Sequence, residues 1–600
     1  MLEYGIPALI EVPDDASLAD VVFSRAAADP DEVMLRRRST DGRWQDVTAA
    51  QFRSEVSGLA KGLVAAGIQP GDRVALMSRT RYEWTLADYA IWAAGAVTVP
   101  VYETSSAEQV EWIVTDSGAR AAIAETDKHA EVIASLRDRL PDLTQVWRIA
   151  GLAELAATGT DVTDDQLRQL RASRQASDLA TIIYTSGTTG RPKGCELTHR
   201  NLLSAVRNAV HGALPEIFET AGGSTLLFMP LAHVFARIIE IGCLESGAVL
   251  GHWEDTSTLT EGLREFRPTF LLAVPRVFEK VYNSAQQQAS SSPAKSKIFA
   301  AAAATAVDYS QAADSGRPGL GLQVRHALFD RLVYSKLRAA VGGQVTYAVS
   351  GGAPLGERLG HFFRGAGITV LEGYGMTETS AAAMVNKPSR NKVATVGQPL
   401  PGVTARIADD SEILLRGKII FAGYWHNEAA TKETLDGEGW LHTGDLGSLD
   451  DEGFLRVTGR KKELIVTAGG KNVAPAVLED RLRAHPLISQ VMVVGDNRPF
   501  IACLITLDPE ALEHWKQQHG KPGSATPADL ATDPDLLAEL QSAVDDANKA
   551  VSRAESIRKF VVLPVDFTVE NEYITPSLKV KRALIAKDFA AEIDALYTKR

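Results

Sequence analysis

Cysteine is nearly absent from this 600-residue chain. Cys195, Cys243 and Cys503 stand alone, without the close spacings of a zinc site and too few for a disulfide framework. That scarcity fits a reducing, cytoplasmic compartment. No apolar run approaches the roughly 18 residues of a membrane span, and the N-terminal MLEYGIPALIEVPDDASLAD carries acids where an export signal carries positive charge. The expectation is a soluble protein. Positive charge is also in deficit: 63 Lys and Arg against 75 Asp and Glu leave a net charge of −12, which argues against a nucleic-acid binder with a basic face. Repeats of fixed period are missing, and so are the phosphate-loop patterns GxxxxGK(S/T) and GxGxxG at a βα turn. The rest of the composition, 45% hydrophobic and 23% charged, is that of a folded chain with a large core.

Glycine, by contrast, is concentrated where it can matter. YTSGTTGRPKG (184–194) gathers three glycines, three threonines and a serine, so Thr185, Ser186, Gly187, Thr188, Thr189 and Gly190 offer hydroxyls and open amides, with Lys193 adding charge. Read alone, the stretch fits either a flexible linker or an anion cradle. The rigid Pro192 and the apolar flanks favour the cradle. DLATIIY (178–184) before it reads as a buried strand and THRNLLSAVRNAV (198–210) after it as a helix capped by Thr198, a strand, loop and helix arrangement suited to phosphate at a helix start.

Between residues 70 and 275 the runs RVALMS, AVTVPVY, ATIIYT, STLLFMP and TFLLAVP alternate with helical patterns, the rhythm of parallel α/β sheets. NSAQQQASSSPAKS (283–296) and GKPGSATPADLATDP (520–534) read as loose excursions. RHALFDRLVYSKLRAAV (325–341) sets Leu328, Phe329, Leu332, Val333, Leu337 and Val341 at helical spacing opposite Arg325, Arg331, Lys336 and Arg338. Such a face either packs on its own domain or makes peripheral contact with a membrane. Near residue 459 the text turns from strand-like to basic and then to a new apolar strand, which places a domain boundary there: residues 1–460 and 461–600.

Four further stretches follow in order: SGGAPLG (350–356), EGYGMTET (372–379), GWLHTGDLG (439–447) and GRKKELI (459–465), with TPSLKVKR (575–582) near the end. Together with YTSGTTGRPKG they resemble the adenylate-forming superfamily of acyl-CoA synthetases, luciferases and peptide-synthetase adenylation domains. The resemblance spans nearly the whole chain. MPLAHVFAR, AVPRVFEKVY and the long spacer before SGGAPLG are similar to the long-chain fatty acyl-CoA synthetase branch. It implies an α/β fold: a large N-terminal body of several subdomains with mixed and parallel sheets, and a small mobile α+β C-terminal lid.

The resemblance also implies a chemistry. A carboxylate attacks the α-phosphate of ATP, pyrophosphate leaves, and the acyl-AMP then passes its acyl group to coenzyme A. Under it Lys579 bridges carboxylate and α-phosphate, Glu378 binds Mg²⁺ beside Thr377, and Tyr374 stacks on adenine, with Gly375 beside it and Gly351, Gly352 and Ala353 as the wall beneath. Asp445 takes the ribose hydroxyls, Arg460 reaches ribose or phosphate, Lys462 is the hinge, Gly469 and Lys471 line the coenzyme A path, and His233 sits near the acyl carboxylate. Val466 occupies a place where some relatives carry a second lysine. Two alternatives stay open: an acyl-AMP ligase loading a carrier protein, or a coenzyme A ligase for another carboxylic acid. A non-catalytic acyl or nucleotide binder is a third class. Oligomeric state and chain-length preference are not legible.

Overall fold

In the computed structural model, residues 2–39, 41–185, 191–290, 292–575 and 579–598 are described. The apolar runs become strands because they have water on neither side. Arg73–Met77 and Val97–Val101 lie side by side and parallel in a seven-stranded sheet, flanked by Leu179–Thr185 on one side and Ala121–Ala124 then Gln145–Arg148 on the other. Along Arg73–Met77 alternate residues enter different cores, Val74 and Leu76 the main one, Ala75 and Met77 a second built on Val110, Ile113 and Val114. Burial on both faces is why such strands read as continuous rather than alternating. The helix Ala107–Ser117 covers the second face, started by a Ser106–Gln109 capping box and stopped by Gly118 at φ 60°.

STLLFMP and TFLLAVP contribute Ser224–Leu227 and Phe270–Ala273. The first belongs to a four-stranded sheet with Val249–His252, Val33–Arg38 and Trp44–Thr48; the second begins a five-stranded sheet continued by Tyr347–Ser350, Thr369–Met376, Ala381–Val385 and Gln398–Pro399. A separate antiparallel sheet joins Glu3–Ile6, Val403–Ile407, Glu412–Gly417, Leu441–Leu449 and Leu455–Arg460. The main core ends at Leu455; the next buried apolar cluster begins at Ile465. From there a smaller α+β unit is built on the three-stranded sheet Ile488–Val494, Ile501–Leu507 and Ile557–Val562, whose two faces feed separate clusters. It touches the larger body through Arg276 to Asp508 (3.2 Å), Arg358 to the Ala484 carbonyl (3.1 Å) and Ser290 to His514 (2.5 Å).

Several sequence expectations need correction. The glycine loop does not open directly into a helix: Lys193–Thr198 returns as a strand antiparallel to Leu179–Thr185, and only then does the helix His199–Asn208 begin, with the expected Thr198 cap. The phosphate site read for that helix start therefore falls; the N-terminal amides belong to a Thr198–Asn201 capping box. Residues 283–296 are mostly helical rather than loose, the end of Pro275–Ala289 and the start of Pro293–Asp314, whose Ser292 side chain caps Lys295. Within 520–534 there is a short helix, Pro527–Leu530, and Lys521 braces the loop to Asp533 and Asp535. The 325–341 pattern is interrupted by a π-turn at Asp330–Tyr334; Phe329, Leu337 and Val341 are buried while Leu328 and Leu332 face out. Arg338 is not on an outward polar face but bonds Asp330 and the Ala366 carbonyl.

Candidate active site

Two parallel strands end side by side, Ser350 opposite Glu372, and so bring Gly351, Gly352 and Ala353 next to the 372–375 stretch. Gly352 has φ +85°, a conformation that favours glycine. Gly375 is required by packing: a Cβ there would stand 1.7 Å from the Ala381 carbonyl oxygen, at the register shift where the strand turns back.

Tyr374 donates its hydroxyl to Asp445 (Oδ2, 2.7 Å), and Arg460 lies 3.3 Å from the other oxygen, opposite Asp445 across the strand pair. Burial pushes the Asp445 carboxyl above the usual carboxylate range, opposed by the Arg460 charge and the Tyr374 hydrogen bond. Burial, then the Asp445 charge, carries the Tyr374 phenol well above its ordinary value. The three side chains form one tethered row along the cleft.

Glu378 sits in the turn Thr377–Thr379, followed by Ser380 and Ala381 at φ 52° and 78°. Two successive non-glycine residues in the left-handed region are costly, and the surroundings hold them: Thr379 donates to the Ala381 carbonyl (2.6 Å), Ser380 to the Ile419 carbonyl (2.8 Å), and Phe421 N to the Glu378 carbonyl (2.9 Å). Tyr424 then donates to Glu378 Oε1 at 2.6 Å, while the Lys193 ammonium lies 4.8 Å from the centroid of the same ring. Tyr424 pairs with Cys195 at the sheet edge, so a single aromatic couples the glycine-loop strand to Glu378. Among the described residues no group of three metal-type side chains converges. A lone, half-buried carboxylate suits a hard cation that keeps its waters and binds substrate phosphates, so Glu378 fits Mg²⁺.

A cavity of about 90 Å³ is lined by Tyr102, Thr185, Pro192, His233, Thr377 and Lys579. His233 caps the helix Val234–Ser246: its Nδ1 accepts from the Phe235 amide (3.2 Å), which leaves the proton on Nε2. Burial, then the Lys579 charge, pushes His233 down to about 4, so at neutral pH it is a hydrogen-bond donor and not a cation. Lys579 arrives from the smaller unit on a loop closed by Thr575 N to the Lys579 carbonyl (2.8 Å) and Lys579 N to Thr575 Oγ1 (3.0 Å). Its side chain is water-accessible yet walled in by protein. Crowding and the Arg460 charge lower its pKa below the usual lysine value, and Glu378, Asp445 and Glu463 oppose them.

Not every expected residue is at this cavity. Lys462 is exposed in the turn Lys461–Glu463 between the two units, where Lys461 binds Asp410 (2.5 Å) and Glu412 (3.1 Å). Gly469 is exposed with room for a Cβ; the positive φ, +77°, belongs to Gly470. Lys471 pairs with Glu555 at 3.2 Å. Ser186, Gly187, Thr188, Thr189 and Gly190 lie outside the described residues, although Thr185 and Pro192 on either side line the cavity. Sequence reasoning missed Tyr424, Tyr102 and Glu372. The last is buried beneath the site, accepts from Leu355 N (2.9 Å), and is pushed up to about 7, mainly by burial and in part by Asp480 of the smaller unit.

An ammonium from one α/β unit meets the glycine-loop strand and the Thr377–Thr379 turn of another, the arrangement of an enzyme cleft shared by two units. The AMP-binding enzyme family matches residues 22–425, and the AMP-binding enzyme C-terminal domain matches 462–600. The chain belongs to this adenylate-forming family, in its long-chain acyl-CoA synthetase branch. It is 53% identical to the long-chain-fatty-acid–CoA ligase FadD15 of Mycobacterium tuberculosis, over 100% of both chains, and 30% identical to the long-chain-fatty-acid–CoA ligase ACSBG2 of Xenopus laevis, over 98% of this chain and 85% of that one. The fold is that of the adenylation domain of carboxylic acid reductase from Segniliparus rugosus (TM-score 0.73, 21% identity, 97% of this chain and 94% of that one). It is likewise that of the anthranilate CoA ligase AuaEII (TM-score 0.72, 19% identity, 97% and 99%).

Proposed function

We propose that this chain is a long-chain fatty acid–CoA ligase that forms acyl-CoA, AMP and pyrophosphate from fatty acid, ATP and coenzyme A. The observation that carries the assignment of roles is Lys579 in one cavity with Thr185, His233 and Thr377. In the first step a carboxylate oxygen bonds to the α-phosphorus as the bond to pyrophosphate breaks. Two anions must approach each other, and the Lys579 ammonium offsets that repulsion where charge builds up. The neutral His233 holds the carboxylate through its Nε2 proton. Asp445 accepts from the ribose hydroxyls, Arg460 neutralises phosphate or ribose contacts, and the Tyr374 ring lies against adenine with Gly351, Gly352 and Ala353 behind it. Mg²⁺, held at Glu378 when bound, supplies charge neutralisation for the phosphates.

In the second step the coenzyme A thiol, losing its proton, attacks the acyl carbonyl and AMP departs. Lys579 lines the cavity that the thiol has to reach. The lid, which we place at residues 461–600, therefore swings about Lys462 and brings Gly469 and Lys471 to the thiol path. The enzyme works in the cytoplasm, with peripheral membrane contact. Incubation with palmitate, ATP, Mg²⁺ and coenzyme A must yield AMP, pyrophosphate and the thioester. Turnover only with a holo-carrier protein in place of coenzyme A would refute the acceptor, and turnover only with another class of acid would refute the substrate.

A further inference from the structure

The helix that starts at Leu320 leaves an apolar stripe uncovered. Leu320 is 81% exposed, Val324 72%, Leu328 56% and Leu332 45%, successive steps of four along one side. Large apolar side chains this exposed and this regular differ from the scattered ones of an ordinary surface. The opposite side is satisfied: Phe329 and Leu337 are buried, His326 stacks on Tyr309 at 3.9 Å and bonds the Gly365 carbonyl, and Tyr334 donates to the Ala302 carbonyl (2.7 Å). The π-turn Asp330–Tyr334 explains how one helix serves both sides beyond Phe329. Its wider turn delays rotation, so Tyr334 points inward while Leu332 and Lys336 stay on the side of Leu320.

Charge says what meets this stripe. Arg317, Arg331 and Lys336 are exposed along it and have no ion pair among the described residues. The neighbouring acids are already engaged, Asp308 by Arg325, Asp330 by Arg338 and Asp314 by Arg364. On a chain with net charge −12 this is a locally cationic, apolar ridge about 30 Å long. Apolar side chains flanked by unpaired Arg and Lys match the boundary between acyl chains and anionic headgroups. We infer that the Leu320–Leu332 face is where the enzyme docks on an anionic lipid bilayer. The inference gives the proposed peripheral contact its surface and rests on the ligase reading only for why docking is useful, since long-chain acids partition into bilayers.

The test is vesicle flotation of the purified full-length chain. The wild type is expected to float with phosphatidylcholine vesicles containing about a quarter phosphatidylglycerol, and weakly with phosphatidylcholine alone. V324Q/L328Q replaces exposed side chains only and is expected to lower the bound fraction at least about fivefold on both. R331Q/K336Q is expected to weaken binding about tenfold to the anionic vesicles alone and to flatten its salt dependence. Both variants are expected to keep wild-type ligation of palmitate supplied in detergent, which separates docking from chemistry and reports folding. Absence of wild-type flotation, or equal flotation of all three proteins, overturns the inference. Loss of a wild-type dimer in V324Q/L328Q, without vesicle binding by the wild type, overturns it in favour of a second copy on this face.

Discussion

Replacing Lys579 with alanine removes the one ammonium that the smaller unit delivers into the cavity beside Thr185, His233 and Thr377. A unit positive charge about 4 Å from charge developing on the α-phosphate, at an effective dielectric of about 20, is worth about 4 kcal/mol. Lys579 keeps contact with water, so screening trims this towards about 3 kcal/mol, or about a hundredfold in rate. ATP–pyrophosphate exchange dependent on palmitate should fall by roughly that factor, in the range found for loss of one oxyanion donor. Thioester formation from supplied palmitoyl-AMP should be largely retained, because the ammonium must leave before the thiol enters. The pH profile carries a second signature. The ammonium is the working form and its pKa lies below the usual lysine value, so wild-type exchange declines as pH rises through that lowered pKa, whereas Lys579→Ala is flat there. Equal loss in both half-reactions, or an unchanged alkaline limb in the variant, would refute the role.

Tyr424→Phe removes the hydrogen bond to Glu378 and should raise the Mg²⁺ requirement of pyrophosphate exchange about three- to tenfold with a smaller change in kcat, read from Mg²⁺ titrations. Lys462→Pro stiffens the turn between the units; adenylation should survive within about threefold while coenzyme A-dependent turnover falls more than about tenfold, seen as accumulated acyl-AMP. Arg237 is 1% exposed, bonds both oxygens of the fully buried Asp88 and donates to Thr181. Arg237→Met should cost about 3–5 kcal/mol in urea unfolding, and adding Asp88→Leu should recover much of it; an additive second loss contradicts the pairing. Glu372 holds a proton in the folded state up to about pH 7 that the unfolded chain releases near 4.5. Its contribution is therefore present below 4.5 and is lost as pH rises to 7, by at most about 3 kcal/mol, and Glu372→Gln should flatten unfolding midpoints across that window.

Much of this was legible in the text because fully buried parallel strands have no choice of composition. RVALMS and AVTVPVY can only lie between two cores, and the structure places them there. The Thr198 cap was legible from chemistry alone. The strand Lys193–Thr198 was not, because KGCELT is short and mixed and is defined by pairing with a neighbour across the glycine loop. NSAQQQASSSPAKS resembled a linker in composition, yet Ser292 before Pro293 is a helix-start pair, a signal that outweighs the polarity of the residues around it. Tyr424 had no local mark at all; its importance comes from a two-residue edge pairing with a strand far away in sequence. The same holds for Glu372, whose proton affinity is raised first by burial and in smaller part by Asp480 across the junction between the two units.

The order in which these parts are made also has a meaning. The residues around Glu378 and Asp445 are all encoded before residue 461, but the ammonium at Lys579 is translated only after the three-stranded sheet of the smaller unit. A chain truncated near residue 560 should therefore release pyrophosphate at least about a hundredfold more slowly than the full chain. Fast activation of fatty acids thus waits for a polypeptide whose synthesis has reached Lys579.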